Sequence, residues 1–158
     1  MCLRGACGVV SDYSSRLADA LETYREMLEL DYAAIAKVDE RDNQIRYECV
    51  TGNRTNRHVH FVNRPGNGIA GHVVRHGRPA VYDRNRPDLP ELKMKYPIML
   101  AEKLEAVLAV PIFHDETVSG VLLGAVRRER AFSEEDVKLA KRHAEEMAPL
   151  LRVTNAHV

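Results

Sequence analysis

The sequence predicts an α+β fold built on an antiparallel sheet. Three observations predict it. Two stretches with helical apolar spacing stand near the ends, over residues 11–29 and 134–151. Two pairs of strand-like runs, 32–39 with 44–51 and 105–114 with 118–127, are joined by short polar turns and read as hairpins. Between the hairpins a glycine-rich loop opens a short helix, and a proline-interrupted stretch follows that is too long for an ordinary connection.

The first helix takes Ser11 as its cap and carries Tyr13, Leu17, Ala20, Leu21, Tyr24, Met27 and Leu28 on one stripe. The run 32–39 alternates weakly, 40–43 is a polar turn, and 44–51 alternates clearly. In that second strand Ile45, Tyr47 and Cys49 share a face, and Arg46, Glu48 and Val50 share the other. Cys49 therefore reads as a small buried hydrophobe, and Tyr47 as core or pocket wall. Gly52-Asn53 turns the chain, and 58–63 is a short third strand. A short strand over 79–82 precedes the long connection, 83–100, which holds Pro87, Pro90 and Pro97. Its apolar set is Leu89, Leu92, Met94, Tyr96, Ile98, Met99 and Leu100, so it reads as a lid that packs on a pocket, with one short helix over 89–95. The runs 105–114 and 118–127 are almost continuously apolar, as central strands covered on both faces are, with Asp115-Glu116-Thr117 as the turn. Gly120 and Gly124 leave room there for close approach. In the last helix Ser133 and Asp136 form a variant capping box, Phe132 and Val137 occupy staple positions, and Pro149 should bend or stop the helix.

The totals bound the class. A chain of 158 residues predicts one domain, 1–158, with 1–10 as an N-terminal tail. Apolar content of 45% and charged content of 29% are those of a soluble globular protein. With 23 basic and 23 acidic residues the net charge is zero, which argues against general nucleic-acid binding. No apolar run approaches the roughly 18 residues that span a bilayer, and the first ten residues lack the apolar core of a secretory signal. Three cysteines, Cys2, Cys7 and Cys49, without a CxxC pair, fit a reducing cytoplasm.

The candidate site is Arg64-Pro65-Gly66-Asn67-Gly68-Ile69-Ala70-Gly71-His72. Pro65 fixes its own φ and the glycines allow a tight turn, after which Ile69, Ala70, Val73 and Val74 start an apolar stripe. The helix covers 68–76 and stops at Gly77, beside Arg75, His76 and Arg78. The first turn of a helix leaves N–H donors without partners, here those of Ile69 and Ala70, and such donors suit a small anion or simply water. From Cys49 to Tyr82 there is no acidic residue, whereas Arg54, Arg57, Arg64, Arg75, Arg78, His58, His60, His72 and His76 fall there, so a positive field surrounds the loop. His58-x-His60 and His72/His76 have metal-like spacings, but no cysteine or carboxylate joins them, so surface histidines and no metal are expected. No Ser/His/Asp set, carboxylate pair or Walker motif is present, and no cofactor or catalytic role is expected.

Taken in order, the segments Pro65-Gly66-Asn67-Gly68-Ile69-Ala70-Gly71, Gly77-Arg78-Pro79, Val110-Pro111-Ile112-Phe113, Val118-Ser119-Gly120-Val121-Leu122 and Phe132-Ser133-Glu134-Glu135-Asp136 resemble a GAF domain over nearly the whole chain. The resemblance implies a sheet of five or six strands, with the terminal helices on one face and the short helix and lid over a ligand pocket on the other. It leaves the ligand open, because one fold hosts many. Cyclic-nucleotide members carry Asn-Lys where this chain has Arg127-Arg128, and bilin-binding members need a cysteine absent from 69–100. The free methionine-R-sulfoxide reductases are similar in size but need paired pocket cysteines. The best match is to free-standing nitrate-receptor GAF proteins of Gram-positive bacteria, which partner a cytoplasmic histidine kinase in a two-component system. That resemblance implies main-chain donors at Ile69, Ala70 and Ile98, with Tyr96, Pro97 and Tyr47 around the anion. Tyr47 stands where that family uses a large aromatic, and this chain has no Trp. The alternatives are a homodimerisation module built on the terminal helices, with no ligand, and the sulfoxide reductase.

Overall fold

The computed structural model describes residues 12–57 and 61–155. The cap assigned to Ser11, the side chain of Tyr13, His58, His60, Cys2 and Cys7 lie outside that description. The elements in order are α1 (Asp12–Met27), β1 (Tyr32–Asp39), β2 (Gln44–Thr51), β3 (Val62–Asn63), α2 (Gly68–His76), β4 (Ala80–Tyr82), α3 (Leu89–Lys95), α4 (Pro97–Glu102), β5 (Ala106–His114), β6 (Thr117–Val126) and α5 (Glu134–Asn155). The strands form one antiparallel six-stranded sheet in the order β3-β2-β1-β6-β5-β4.

Two apolar layers sandwich this sheet. On one face Leu17, Leu21, Tyr24 and Leu28 of the first helical segment and Ala140, Ala144, Met147 and Leu151 of α5 cover Ile35, Leu108, Val110 and Leu122. On the other face Ile69, Ala70 and Val73 of α2, with Leu92, Tyr96, Ile98 and Met99, cover Ala34, Ala36, Val107 and Leu123. The terminal helices and the lid therefore take opposite faces, and β5 and β6 are buried on both, as their unbroken apolar runs require. The capping box at α5 is formed, with the Ser133 N–H donating to Asp136 Oδ2 at 2.9 Å and the Asp136 N–H to Ser133 Oγ at 3.1 Å.

Several expectations are corrected. The alternation in β2 breaks after Tyr47. Cys49 pairs with Ile35 and Tyr47 with Ala36, so Glu48 is one residue too many. This bulge turns the strand over. Ile45 and Tyr47 face the lid, Cys49 joins the terminal-helix layer, and Val50 joins the lid layer. Met27 leaves the α1 stripe and is 58% exposed, because the helix ends there. Pro149 does not stop α5, which continues to Asn155. A proline near a helix end forfeits one hydrogen bond, and burying Leu151 on the sheet offsets that loss. The lid contains a second helix, α4, with Pro97 at its start, a position that wastes no N–H. Met94 and Leu100 point outward from the lid rather than into it. The turn between β5 and β6 is Asp115-Glu116 alone, since Thr117 already pairs with His114.

Candidate functional site

The loop before α2 folds back on itself. Gly66 N–H donates to Gly71 O at 2.7 Å and Asn67 N–H to Arg64 O at 2.9 Å. Gly71 lets that loop lie flat, because a Cβ there would come 2.2 Å from the Arg64 carbonyl oxygen. Asn67 occupies the cap position in an extended conformation, and its side chain makes no cap bond. Among the described residues no loop carbonyl or side chain accepts from the N–H groups of Ile69 and Ala70. At the other end Gly77 adopts the left-handed cap and donates to Val73 O.

A cavity of about 190 Å³ opens at this helix start. Tyr47 comes to it from β2, Phe61, Val62 and Asn63 from β3 and the residue before it, and Gly68 and Ile69 from α2. Tyr96, Pro97 and Ile98 close it from the junction of α3 and α4. Ala70 is fully buried behind Ile69 in the lid-side core, so what it can offer is main chain. Tyr47 and Phe61 meet edge to face at 6.1 Å, and Tyr96 meets Tyr82 in the same way at 5.7 Å. Burial pushes the Tyr47 phenol above its ordinary range, so it stays protonated and can donate. No charged side chain is among the described residues lining the cavity.

The basic residues of the segment lie around the site rather than in it. The Arg75 guanidinium lies against Gly66. His72 and His76 stack at 4.3 Å, and burial, followed by the charges of His76, Arg86 and Arg78, holds the His72 imidazole below its ordinary pKa. Lys95 sits over the Tyr96 ring. Among the described residues no three His, Cys, Asp or Glu side chains approach as metal ligands would.

The lid is anchored where no sequence signal pointed. Glu102, the last residue of α4, is 2% exposed. Its carboxylate accepts from Arg54 N–H at 2.6 Å, Thr55 N–H at 3.2 Å and Arg127 Nη2 at 2.7 Å. Arg127 also donates from Nε to Glu102 O at 2.8 Å and from Nη2 to Gly52 O at 3.0 Å, and its own N–H meets Asp31 Oδ2 at 2.7 Å. One guanidinium thus ties the lid to the ends of β1, β2 and β6.

Of the six residues the sequence singles out, Tyr47, Ile69, Tyr96, Pro97 and Ile98 line the cavity together. Phe61, Val62 and Asn63 were missed, and Gly68 lies in the loop stretch that the sequence marks as the candidate site. The only signal for Phe61 and Asn63 was an i, i+2 spacing in the short strand before the loop. A family model described as GAF domain matches residues 11–152. The chain belongs to the GAF domain family. Among solved structures, this GAF domain is 37% identical to a hypothetical protein from S. aureus, with 73% of this chain and 95% of that one covered and a TM-score of 0.66. It is 34% identical to the NreA protein of Staphylococcus aureus mutated in its nitrate binding site, covering 78% of this chain and 95% of that one at a TM-score of 0.67. Free methionine-R-sulfoxide reductase from Neisseria meningitidis is 18% identical, with 98% and 87% covered at a TM-score of 0.72, and shares the fold. No curated protein is significantly similar to this GAF domain. Among its described residues no helix is long and apolar enough to cross a membrane.

Proposed function

We propose that this GAF domain is a receptor for a small monovalent anion, nitrate first, and that it reports occupancy to a sensor histidine kinase by direct contact. The observation that carries the reading is the cavity at the start of α2, whose described lining is uncharged and includes Tyr47, Ile69, Tyr96, Pro97 and Ile98, in a chain 34% identical to a protein with a nitrate binding site. The open N–H groups of Ile69, Ala70 and Ile98 would hold the anion. With no cation among the described residues of the wall, a divalent anion such as sulfate would lose its hydration without compensation from them, so a weakly hydrated monovalent ion is favoured.

We read the protein as a non-enzymatic sensor. Cys49, the one cysteine among the described residues, is buried on the far face of the sheet from the cavity, so no described thiol stands at the pocket as a redox nucleophile. A homodimer through the terminal helices is compatible with this reading, and so is a cytoplasmic two-component system.

The test is calorimetric titration with nitrate, nitrite, chloride and sulfate at matched ionic strength. Binding of nitrate but not sulfate is expected, and it should weaken at least tenfold in Ala70→Pro, which deletes one donor. Tyr96→Ala, which removes a wall of the cavity together with its phenol and should also weaken binding, serves if the proline variant does not fold. No heat with any anion would refute the receptor and leave the dimerisation module.

A further inference from the structure

We propose that Asn63 supplies the side-chain donor that reads the ligand in this cavity, an inference that rests on the cavity being an anion site. Asn63 is the last residue of β3, placed by pairing with Ile45 of β2. Of the described residues lining the cavity it alone carries a carboxamide, and the other polar side chains there are the phenols of Tyr47 and Tyr96. The carboxamide lies at the start of α2. A Cβ built on Gly68 would fall 2.6 Å from Asn63 Nδ2, so the missing side chain at Gly68 is what gives the amide its place. Gly68 has φ +71, which favours glycine there for a second reason.

Among the described residues nothing hydrogen-bonds to the Asn63 carboxamide. A half-buried amide with no partner among the described residues, beside two open main-chain N–H groups, has two N–H donors to offer. The main-chain donors of Ile69 and Ala70 point from one side, along the axis of α2. Asn63 adds a donor from the sheet side. A planar oxyanion presents acceptor atoms in several directions and can engage both sets, whereas a lone electron-pair acceptor on an apolar molecule cannot. Because Asn63 is neutral, it adds this contact without adding charge, and the preference for a monovalent ligand is kept.

The experiment is nitrate titration of the parent protein, Asn63→Leu and Asn63→Asp, at pH 7.5 and pH 5.0, each variant compared with the parent at the same pH. Asn63→Leu keeps the branched shape, though not the smaller volume, and loses the donor, and a rise in Kd of about tenfold is expected. Asn63→Asp is nearly isosteric and places a carboxylate against the anion. Its affinity should fall at least a hundredfold at pH 7.5 and recover at pH 5.0. A carboxyl in an apolar wall has its pKa raised, and once protonated it donates again. A role confined to shaping the Gly68 loop would give no such pH-dependent recovery. Parental affinity in both variants, or an Asn63→Asp defect equal at the two pH values, would overturn the assignment. A parent protein that gives no response to nitrate would overturn the anion reading itself, and the two failures are thereby separated.

Discussion

Arg127→Met should destabilise the fold by about 3 kcal/mol. Removing one partner of a buried ion pair costs about 3–5 kcal/mol, because the other charge stays in the interior without compensation. The low end applies here. The Glu102 carboxylate would keep two main-chain donors, from Arg54 at 2.6 Å and Thr55 at 3.2 Å, so it would not be bare. The side chain of Glu102 is 3% exposed and cannot turn out to water, while that of Arg127 is 26% exposed and its stem can be replaced by methionine with little lost packing. The carbonyls of Glu102 and Gly52 lose donors as well. At about 2–4 °C per kcal/mol for a chain of this size, Tm should fall by about 6–12 °C. Urea unfolding of parent, Arg127→Met, Glu102→Gln and the double variant would complete the measurement. Glu102→Gln removes the buried charge, so Arg127→Met should cost less on that background, with a coupling of at least about 1 kcal/mol. A cost below about 1 kcal/mol for Arg127→Met, or additive single variants, would refute the claim that this pair anchors the lid.

Three further outcomes follow from the same geometry. Gly71→Ala should cost about 2–3 kcal/mol in thermal unfolding and weaken the proposed nitrate binding, since the new Cβ would lie 2.2 Å from Arg64 O and must push the loop off the helix start. Lys103, the C-cap of α4 with φ 55, sits in the left-handed region, and Lys103→Gly should raise stability by about 0.5–1 kcal/mol in the same assay. Burial lowers the His143 imidazole below its ordinary pKa, with Glu146 opposing and Arg142 reinforcing the shift, and burial lowers His72 too. A histidine lowered in the fold binds its proton more readily when unfolded, so stability is full above pH about 6.5 and falls as the pH drops below it. Melting curves between pH 7.5 and 5.5 should show that decline, and His143→Gln should flatten it. The carboxylates of Asp42 and Asp88, lowered by Arg46 and Arg86, lose their contribution to stability only as the pH falls below about 4 and so do not enter that window.

What could be read from sequence was what is local. The Gly77 stop, the Ser133 cap and the two hairpins each declare themselves within about ten residues, by mechanisms that act at that range. The wall residues Tyr96, Pro97 and Ile98 came from resemblance, because nothing local says that a proline-rich stretch returns to the start of a helix some thirty positions earlier. The bulge at Glu48 was invisible. Arg46 to Val50 alternates whether or not the strand carries an extra residue, and only pairing with β1 reveals that Cys49 has changed face. Asn63 and Phe61 were hidden in a strand whose described pairing is two residues long. Glu102 and Arg127 were hidden by distance, since a carboxylate after an apolar run and an arginine after a strand each look like ordinary surface charge.

That last pair changes what the lid can do. α4 is six residues long, about 9 Å of helix, and its two ends have different jobs. Pro97 and Ile98 at its start line the cavity, and Glu102 at its end is pinned to main chain from the β2–β3 connection and to Arg127. A strut fixed at one end can pivot but not slide. Opening of the cavity therefore has to come from the segment before Pro97, where α3 is held by the partly exposed pair of Lys93 with Glu105 and by Leu92 and Leu89 against the core. An exposed ion pair contributes at most about 1 kcal/mol, far less than the buried one. Tyr96 stands at the hinge between the two helices, with its backbone N–H on Leu92 O and its ring in the cavity wall. A ligand pressed against that ring would act on the weakly held helix α3, whose outer face carries the 70%-exposed Met94. Under the proposed receptor reading, occupancy would be legible to a partner here, since the other end of the lid is anchored through Glu102.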